Sequence, residues 1–269
     1  MSPFVIAFSL TLFAGLATAI GGGIVMLSKK FSPKFLAASL GFSAGVMIFI
    51  SLAELYPEAK DSLVSTFGEG KGELYTLIAF FSGIAIIALI DNIVPSYENP
   101  HEMNILSINT ETEGADGAGN HLKRIGIMSA IVIAIHNFPE GIATFVSAMT
   151  DPNIGISIAV AVGIHNIPEG IAVAVPIYYA TKSKNKAFFY SMSSGLAEPA
   201  GAVAGYFLLS SLFSTASFMG IILAAVAGIM VYISLDELLP TAEKYGEHHP
   251  AILGVIAGMA VMGIGLLLF

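Results

Sequence analysis

The chain has 269 residues, 55% of them apolar and only 11% charged, with a mean hydropathy of +0.82. That is too apolar for a water-soluble domain of this size and predicts an all-α polytopic membrane protein. The formal net charge of −8 says little about partners, because the acids divide between loops and a few buried positions; no nucleic-acid partner is expected, and the absence of Cys excludes disulfides and thiolate metal sites, so any metal must be held by N and O ligands.

Apolar runs of spanning length fall at about 3–27, 35–56, 74–95, 125–149, 154–180, 187–213, 217–240 and 251–269, which predicts eight transmembrane helices in a single domain over 1–269. Ala17-Thr18-Ala19 has the look of a signal-peptide cleavage site, but the first run is long and has no basic start, so it is read as a helix. Lys29, Lys30, Lys34, Lys123, Arg124, Lys182, Lys184, Lys186 and Lys244 all fall in loops on one side, leaving only Lys60 and Lys71 on the other. By the positive-inside rule both termini are outside, which for a bacterial inner membrane means the periplasm. The polar stretch 96–123, with the Gly- and acid-rich run Glu111 to Asn120, is expected as a long cytoplasmic loop. Its His101, Glu102, Glu111, Glu113, Asp116 and His121 either catch a departing cation or form a solvated linker. Gly68 to Gly72 (GEGKG) lacks phosphate-loop spacing and lies in an outside loop, so no nucleotide site is expected.

Two repeats organise the chain. Ala44 to Pro57 (AGVMIFISLAELYP) reads against Ala227 to Pro240 (AGIMVYISLDELLP) at a constant offset of 183, and Gly15-Leu16-Ala17 is echoed by Gly195-Leu196-Ala197. The second and seventh spans run in opposite directions, so helices 1 to 3 and 6 to 8 are expected to be related by an inverted repeat around a central pair, a 3+2+3 arrangement typical of secondary transporters. The central pair carries the other repeat, IHNFPEGIA at 135–143 and IHNIPEGIA at 164–172. Within each copy His136 and Glu140, or His165 and Glu169, are four residues apart and share a helical face, with Asn137 and Asn166 able to reach the same side. Pro139 and Pro168 remove an N–H and free the carbonyls of Ile135 and Ile164.

Each motif lies about a dozen residues from the turn at Thr150 to Asn153, or roughly 18 Å, against about 15 Å for half a bilayer core. Both motifs are therefore expected at the midplane. Ionisable groups there are expensive and call for a function, a metal shared by the two helices being the first choice and a helix-pairing His–Glu contact the bland one. Glu198, followed by Pro199, sits deep in the sixth span and is a further ligand candidate. Glu54 and Glu237 end the copied segments, either as mouths of a pathway or as interfacial groups; Asp91 and Asp236, also terminal, receive no role. Buried Glu residues without Lys or Arg need cations as counter-charge, and an all-N/O set suits Zn²⁺, Fe²⁺, Mn²⁺ or Co²⁺.

The twin HNxPEG motifs, the long loop before the first and the GLAEP helix resemble the ZIP family of divalent-metal transporters over essentially the whole chain. The resemblance implies uptake of Zn²⁺ into the cytoplasm, with Fe²⁺, Mn²⁺, Co²⁺ and Cd²⁺ as further cargo. It also implies a binuclear midplane site, frequent homodimers, membrane lipid as surroundings, no cofactor, and elevator-like movement of helices 1, 4, 5 and 6 against 2, 3, 7 and 8. Carried onto this chain, the first site is His136, Glu140, His165 and Glu169, and the second is Asn137, Glu140, Asn166, Glu169 and Glu198. Some family members carry an acid or amide at the positions of His165 and Asn166. Two other readings stay open at this point: an intramembrane metalloenzyme, although Asn137 and Asn166 stand where an HExxH protease has its Glu, and a metal-responsive membrane sensor. Neutral imidazoles are needed for ligation, so uptake is expected to weaken below about pH 6.

Overall fold

The computed structural model describes residues 2–27, 32–93, 115–209, 216–244 and 248–268, and all regular structure among them is helical. In order these are α1 (Pro3–Leu27), α2 (Pro33–Ile50), a π-helical turn (Ser51–Leu55), α3 (Tyr56–Phe67), α4 (Lys71–Ile93), α5 (Ala115–Thr150) and α6 (Pro152–Thr181). They continue as α7 (Lys184–Gly195), α8 (Ala197–Leu209), α9 (Ala216–Ile233), a second π-helical turn (Ser234–Leu238), α10 (Leu239–Lys244) and α11 (His248–Leu268). Six uninterrupted rods among the described residues are long and apolar enough to cross a membrane; α2 with α3, and α9 with α10, each count as one. Helices satisfy their own backbone groups, which is what an apolar medium demands. Large side chains such as Phe13, Leu89, Phe207 and Leu267 are more than half exposed, and lipid is the medium that would cover them.

Four boundaries differ from the sequence expectation. The second and seventh spans do not stop at their prolines: α2 runs through a π turn into α3, and α9 does the same into α10. Pro57 and Pro240 follow these turns, and the wider π geometry accommodates a ring that would clash with the carbonyl of a tight α-turn. The sixth span is broken at Leu196, so α7 and α8 are separate helices and Glu198 lies in the first turn of α8 rather than mid-helix. The predicted loop 96–123 is shorter, because α5 already begins at Ala115. Extending an existing helix requires only propagation, which outweighs the weak propensity of a Gly-rich stretch. The loop acids and histidine at 101, 102, 111 and 113, with Lys29 and Lys30, lie outside the described residues, as do the side chains of Asp116 and His121. Asp151 caps α6 by accepting from the Asn153 amide at 2.7 Å.

The helices sort into two groups by packing. A motif group contains α1, α5, α6, α7 and α8, with α1 against α6 and α7, and α5 against α6 and α8. A companion group contains α2, α3, α4, α9, α10 and α11, with α2 against α11, and α4 and α3 against α9. The groups meet chiefly where α2 crosses α6 and α5 crosses α9. Apolar burial gives little drive to helix association in lipid, so close backbone approach has to supply it. Gly41 and Gly45 of α2 bring their Cα atoms onto the backbone of Ala251 and Val255 in α11, and Gly254 and Gly258 reciprocate against Ala38 and Phe42. Gly83 with Gly228 does the same for α4 and α9, Gly21 with Gly170 for α1 and α6, and Gly15 with Gly195 for α1 and α7. Among the described residues, every glycine whose added Cβ would come within 3.0 Å of a neighbour meets its own group.

Candidate metal centre

Both HNxPEG motifs lie inside helices that continue past Pro139 and Pro168, and their His, Asn and Glu side chains are 0–1% exposed. The structure does not pair His with Glu inside one motif. His136 Nε2 on α5 lies 3.6 Å from Glu169 Oε2 on α6, and His165 Nε2 on α6 lies 3.4 Å from Glu140 Oε1 and 3.5 Å from its Oε2 on α5. The four predicted first-site residues therefore meet as two crossed pairs. These separations are long for N–H···O hydrogen bonds. They match the spacing of about 3.4 Å between two ligands that each lie about 2.1 Å from a tetrahedral Zn²⁺. Among the described residues no three His, Asp or Glu groups are already gathered tightly enough to hold a metal ion, so what is preformed is a pair of two-ligand jaws.

The predicted second-site residues lie beside them. Asn166 Nδ2 donates to the Ala14 carbonyl of α1 at 2.9 Å and to Glu198 Oε1 of α8, and Asn137 Nδ2 donates to the Ser194 carbonyl of α7 at 3.3 Å. Both amides are thus pinned by their NH₂ ends, which leaves their carbonyl oxygens, the ends able to bind a cation, without hydrogen-bond partners. Glu198 is fully buried in the first turn of α8, where unpaired backbone N–H groups favour a carboxylate. Gly141 lets α5 lie directly on the Glu198 backbone. All seven predicted ligands have one buried polar atom with no hydrogen-bond partner: His136 Nε2, Asn137 Oδ1, Glu140 Oε1, His165 Nδ1, Asn166 Oδ1, Glu169 Oε2 and Glu198 Oε2. Buried polar atoms are ordinarily satisfied, so a cluster of this kind marks a place built for something else to bind.

The structure adds two residues that the motifs do not reveal. Glu237, in the second π turn, has Oε2 3.7 Å from His136 Nδ1 and so sits at the centre, whereas its repeat partner Glu54 is half-buried beside Glu58. Ser43 of α2 donates to Glu169 Oε1 at 3.0 Å. A signal existed for Glu237 in the copied SLxEL segment; Ser43 lies one residue before that copy begins.

Residues 96–265 match the Zip family, described as "ZIP Zinc transporter". The chain is 60% identical over 263 residues to a protein of Chlorobaculum parvum named "Zinc transporter ZupT", covering 98% of this chain and 97% of that one. Proteins of the same name in Clostridium perfringens (56% identity, 100% and 98% covered) and Streptococcus mutans (54%, 98% and 97%) are similarly close. These relatives are named as transporters, not enzymes. An end-to-end likeness of this depth, joined to a family match over more than half the chain, settles the membership that the twin motifs suggest: the chain belongs to the ZIP zinc-transporter family.

Proposed function

We propose that the chain is a secondary transporter that carries Zn²⁺, with Fe²⁺, Mn²⁺ and Co²⁺ as further cargo, from periplasm to cytoplasm through a binuclear site at the membrane midplane. The observation that carries this reading is the crossed arrangement of His136–Glu169 and His165–Glu140, fully buried and opening onto unpartnered donor atoms. The first ion takes those four residues, and the second takes Asn137, Asn166 and Glu198 while sharing Glu140 and Glu169. No Lys or Arg occurs in 125–181 or 187–243, so the cargo itself supplies the counter-charge that makes these carboxylates tolerable in lipid. The ion exchanges its water shell for imidazole and carboxylate on one side and recovers it on the other.

Two observations support an inverted 3+2+3 repeat moving as an elevator. The π turns at Ser51–Leu55 and Ser234–Leu238 stand at the same offset of 183 as the copied sequence. Among the described residues, the glycine contacts bind helices within the motif group and within the companion group, and none of these close approaches lies on the face between the groups. The motif group carries all seven ligands and is the moving part.

The test is time-resolved Zn²⁺, Fe²⁺ and Mn²⁺ uptake into proteoliposomes. Glu140→Gln and Glu169→Gln keep side-chain volume and remove charge, and each is expected to cut Zn²⁺ flux at least tenfold; Glu198→Gln reports whether the second ion is required. Wild-type protein that binds Zn²⁺ but moves no ion would overturn the transport reading.

A further inference from the structure

Ser43 belongs to the companion group, yet its fully buried hydroxyl lies against motif helix α6, with Oγ 3.0 Å from Glu169 Oε1 and 3.3 Å from the His165 carbonyl oxygen. A serine hydroxyl has one proton to donate, so it serves one acceptor at a time while the other stands in reserve. The carboxylate is nearer and charged, and it makes the stronger bond. With Oε1 held in this way, the other oxygen of Glu169, Oε2, is the one turned to His136 Nε2 at 3.6 Å. Glu140 is presented differently, with both oxygens nearly equidistant from His165 Nε2 at 3.4 and 3.5 Å. Two motifs that are near-identical in sequence thus offer their carboxylates in two ways. At the offset of 183, Ser43 reads against Val226, a buried residue with no proton to give.

We propose that Ser43 is a positioning residue of the metal site, lent across the interface by the companion group. It fixes Glu169 as a one-oxygen ligand. Both of its acceptors ride on α6, so the bond exists only while the two groups stand in this register. The hydroxyl therefore strengthens metal binding in one position of the motif group and lets Glu169 go in the other. The binding half of this proposal stands on the site geometry, and the movement half rests on the transport reading.

Zn²⁺ binding to detergent-purified protein and Zn²⁺ uptake into proteoliposomes test the two halves. Ser43→Ala is expected to weaken binding and raise KM by about tenfold, the effect of losing one hydrogen bond to a charged group, while Vmax stays level or rises. Ser43→Cys keeps a weak donor and should fall between wild type and Ser43→Ala, which also provides a folded variant if alanine leaves too little stable protein. In a Glu169→Gln background Ser43→Ala should change affinity by about threefold or less, because the amide oxygen still accepts the hydroxyl but no longer carries charge. A serine that merely packs would instead lower the yield of folded protein, leave KM in place and add its effect in full to that of Glu169→Gln; any of these results overturns the proposal. Wild type that binds Zn²⁺ without moving it defeats the transport reading and the movement half, while the binding cycle still decides whether Ser43 orients Glu169. Wild type that binds no Zn²⁺ overturns both.

Discussion

Replacing Gly141 by Ala tests how the second half of the site is held. α5 crosses α8 at this glycine, and a Cβ there would lie 2.0 Å from the carbonyl oxygen of Glu198 and 2.6 Å from its carbon. Ordinary contact begins near 3.4 Å, so the two helices would have to separate locally by about 1.4 Å. The atoms struck are backbone, so no rotamer change relieves the clash. Overpacking of this kind costs about 1–3 kcal/mol, and α8 has to take Glu198 with it as it moves. Gly205 provides a matched control on the same α5–α8 interface. Its added Cβ would meet only the Ile142 side chain, at 3.4 Å. Zn²⁺ titration calorimetry and thermal melts of purified protein should therefore show Gly141→Ala losing the second ion proposed for Asn137, Asn166 and Glu198, keeping the one proposed for the crossed His–Glu pairs, and melting earlier. Gly205→Ala should match wild type in both. Undiminished two-ion binding by Gly141→Ala, or equal damage from both variants, would refute the argument that this close approach sets the position of Glu198.

Two further outcomes are expected. Gly68 ends α3 at φ 80, ψ 167, a region that side chains other than glycine scarcely enter, and its added Cβ would meet open space; Gly68→Ala should cost about 1–3 kcal/mol of stability through backbone strain alone, lowering Tm while leaving KM for Zn²⁺ unchanged, and an unshifted Tm would contradict that conformation. Protons compete with the cargo for imidazole nitrogens that titrate near 6.5 when free, so binding weakens as pH falls; uptake measured with pH equal on both sides should drop between pH 7.5 and 5, and a flat profile would show that His136 and His165 are not ligands.

Hydropathy alone located the rods, because a stretch that must face lipid is apolar for its whole length. Its errors sit where a local rule was outweighed by context. Proline reads as a helix end in isolation, but at Pro57 and Pro240 one widened turn absorbs the ring and the helix continues. The break at Leu196 was hidden because Gly195 and Pro199 also suit a continuous membrane helix, where neighbours satisfy the freed backbone groups. At the site, the seven motif-borne residues stood out in the sequence because buried His, Asn and Glu are costly without a purpose, and the structure buries them all together. Their partners were not. Serine is unremarkable in any membrane helix, and only the crossing of α2 over α6 brings Ser43 to Glu169. Glu237 reads as a helix-end acid until the second π turn places its carboxylate beside His136.

Crossed pairing and charge balance together bear on how many ions the site takes. A His and a Glu four residues apart could satisfy each other on one helix, and a protein needing only a stable pair of helices would use that arrangement. Here each imidazole faces the carboxylate of the opposite helix, so neither motif is complete alone, and a cation bound there as proposed would tie α5 and α6 to each other. Glu140, Glu169 and Glu237 face the two imidazoles, with Glu198 beside Asn166, and all four lie in the stretches 125–181 and 187–243, which contain no Lys or Arg. One divalent ion leaves that set short of neutrality unless protons supply the remainder. The two ions proposed above would balance it, and the pinned amides of Asn137 and Asn166 leave their carbonyl oxygens without hydrogen-bond partners, free to serve as neutral ligands. On the proposed reading metal and proton compensate the same buried charge, so a coupling to protons would act at the site that takes the cargo.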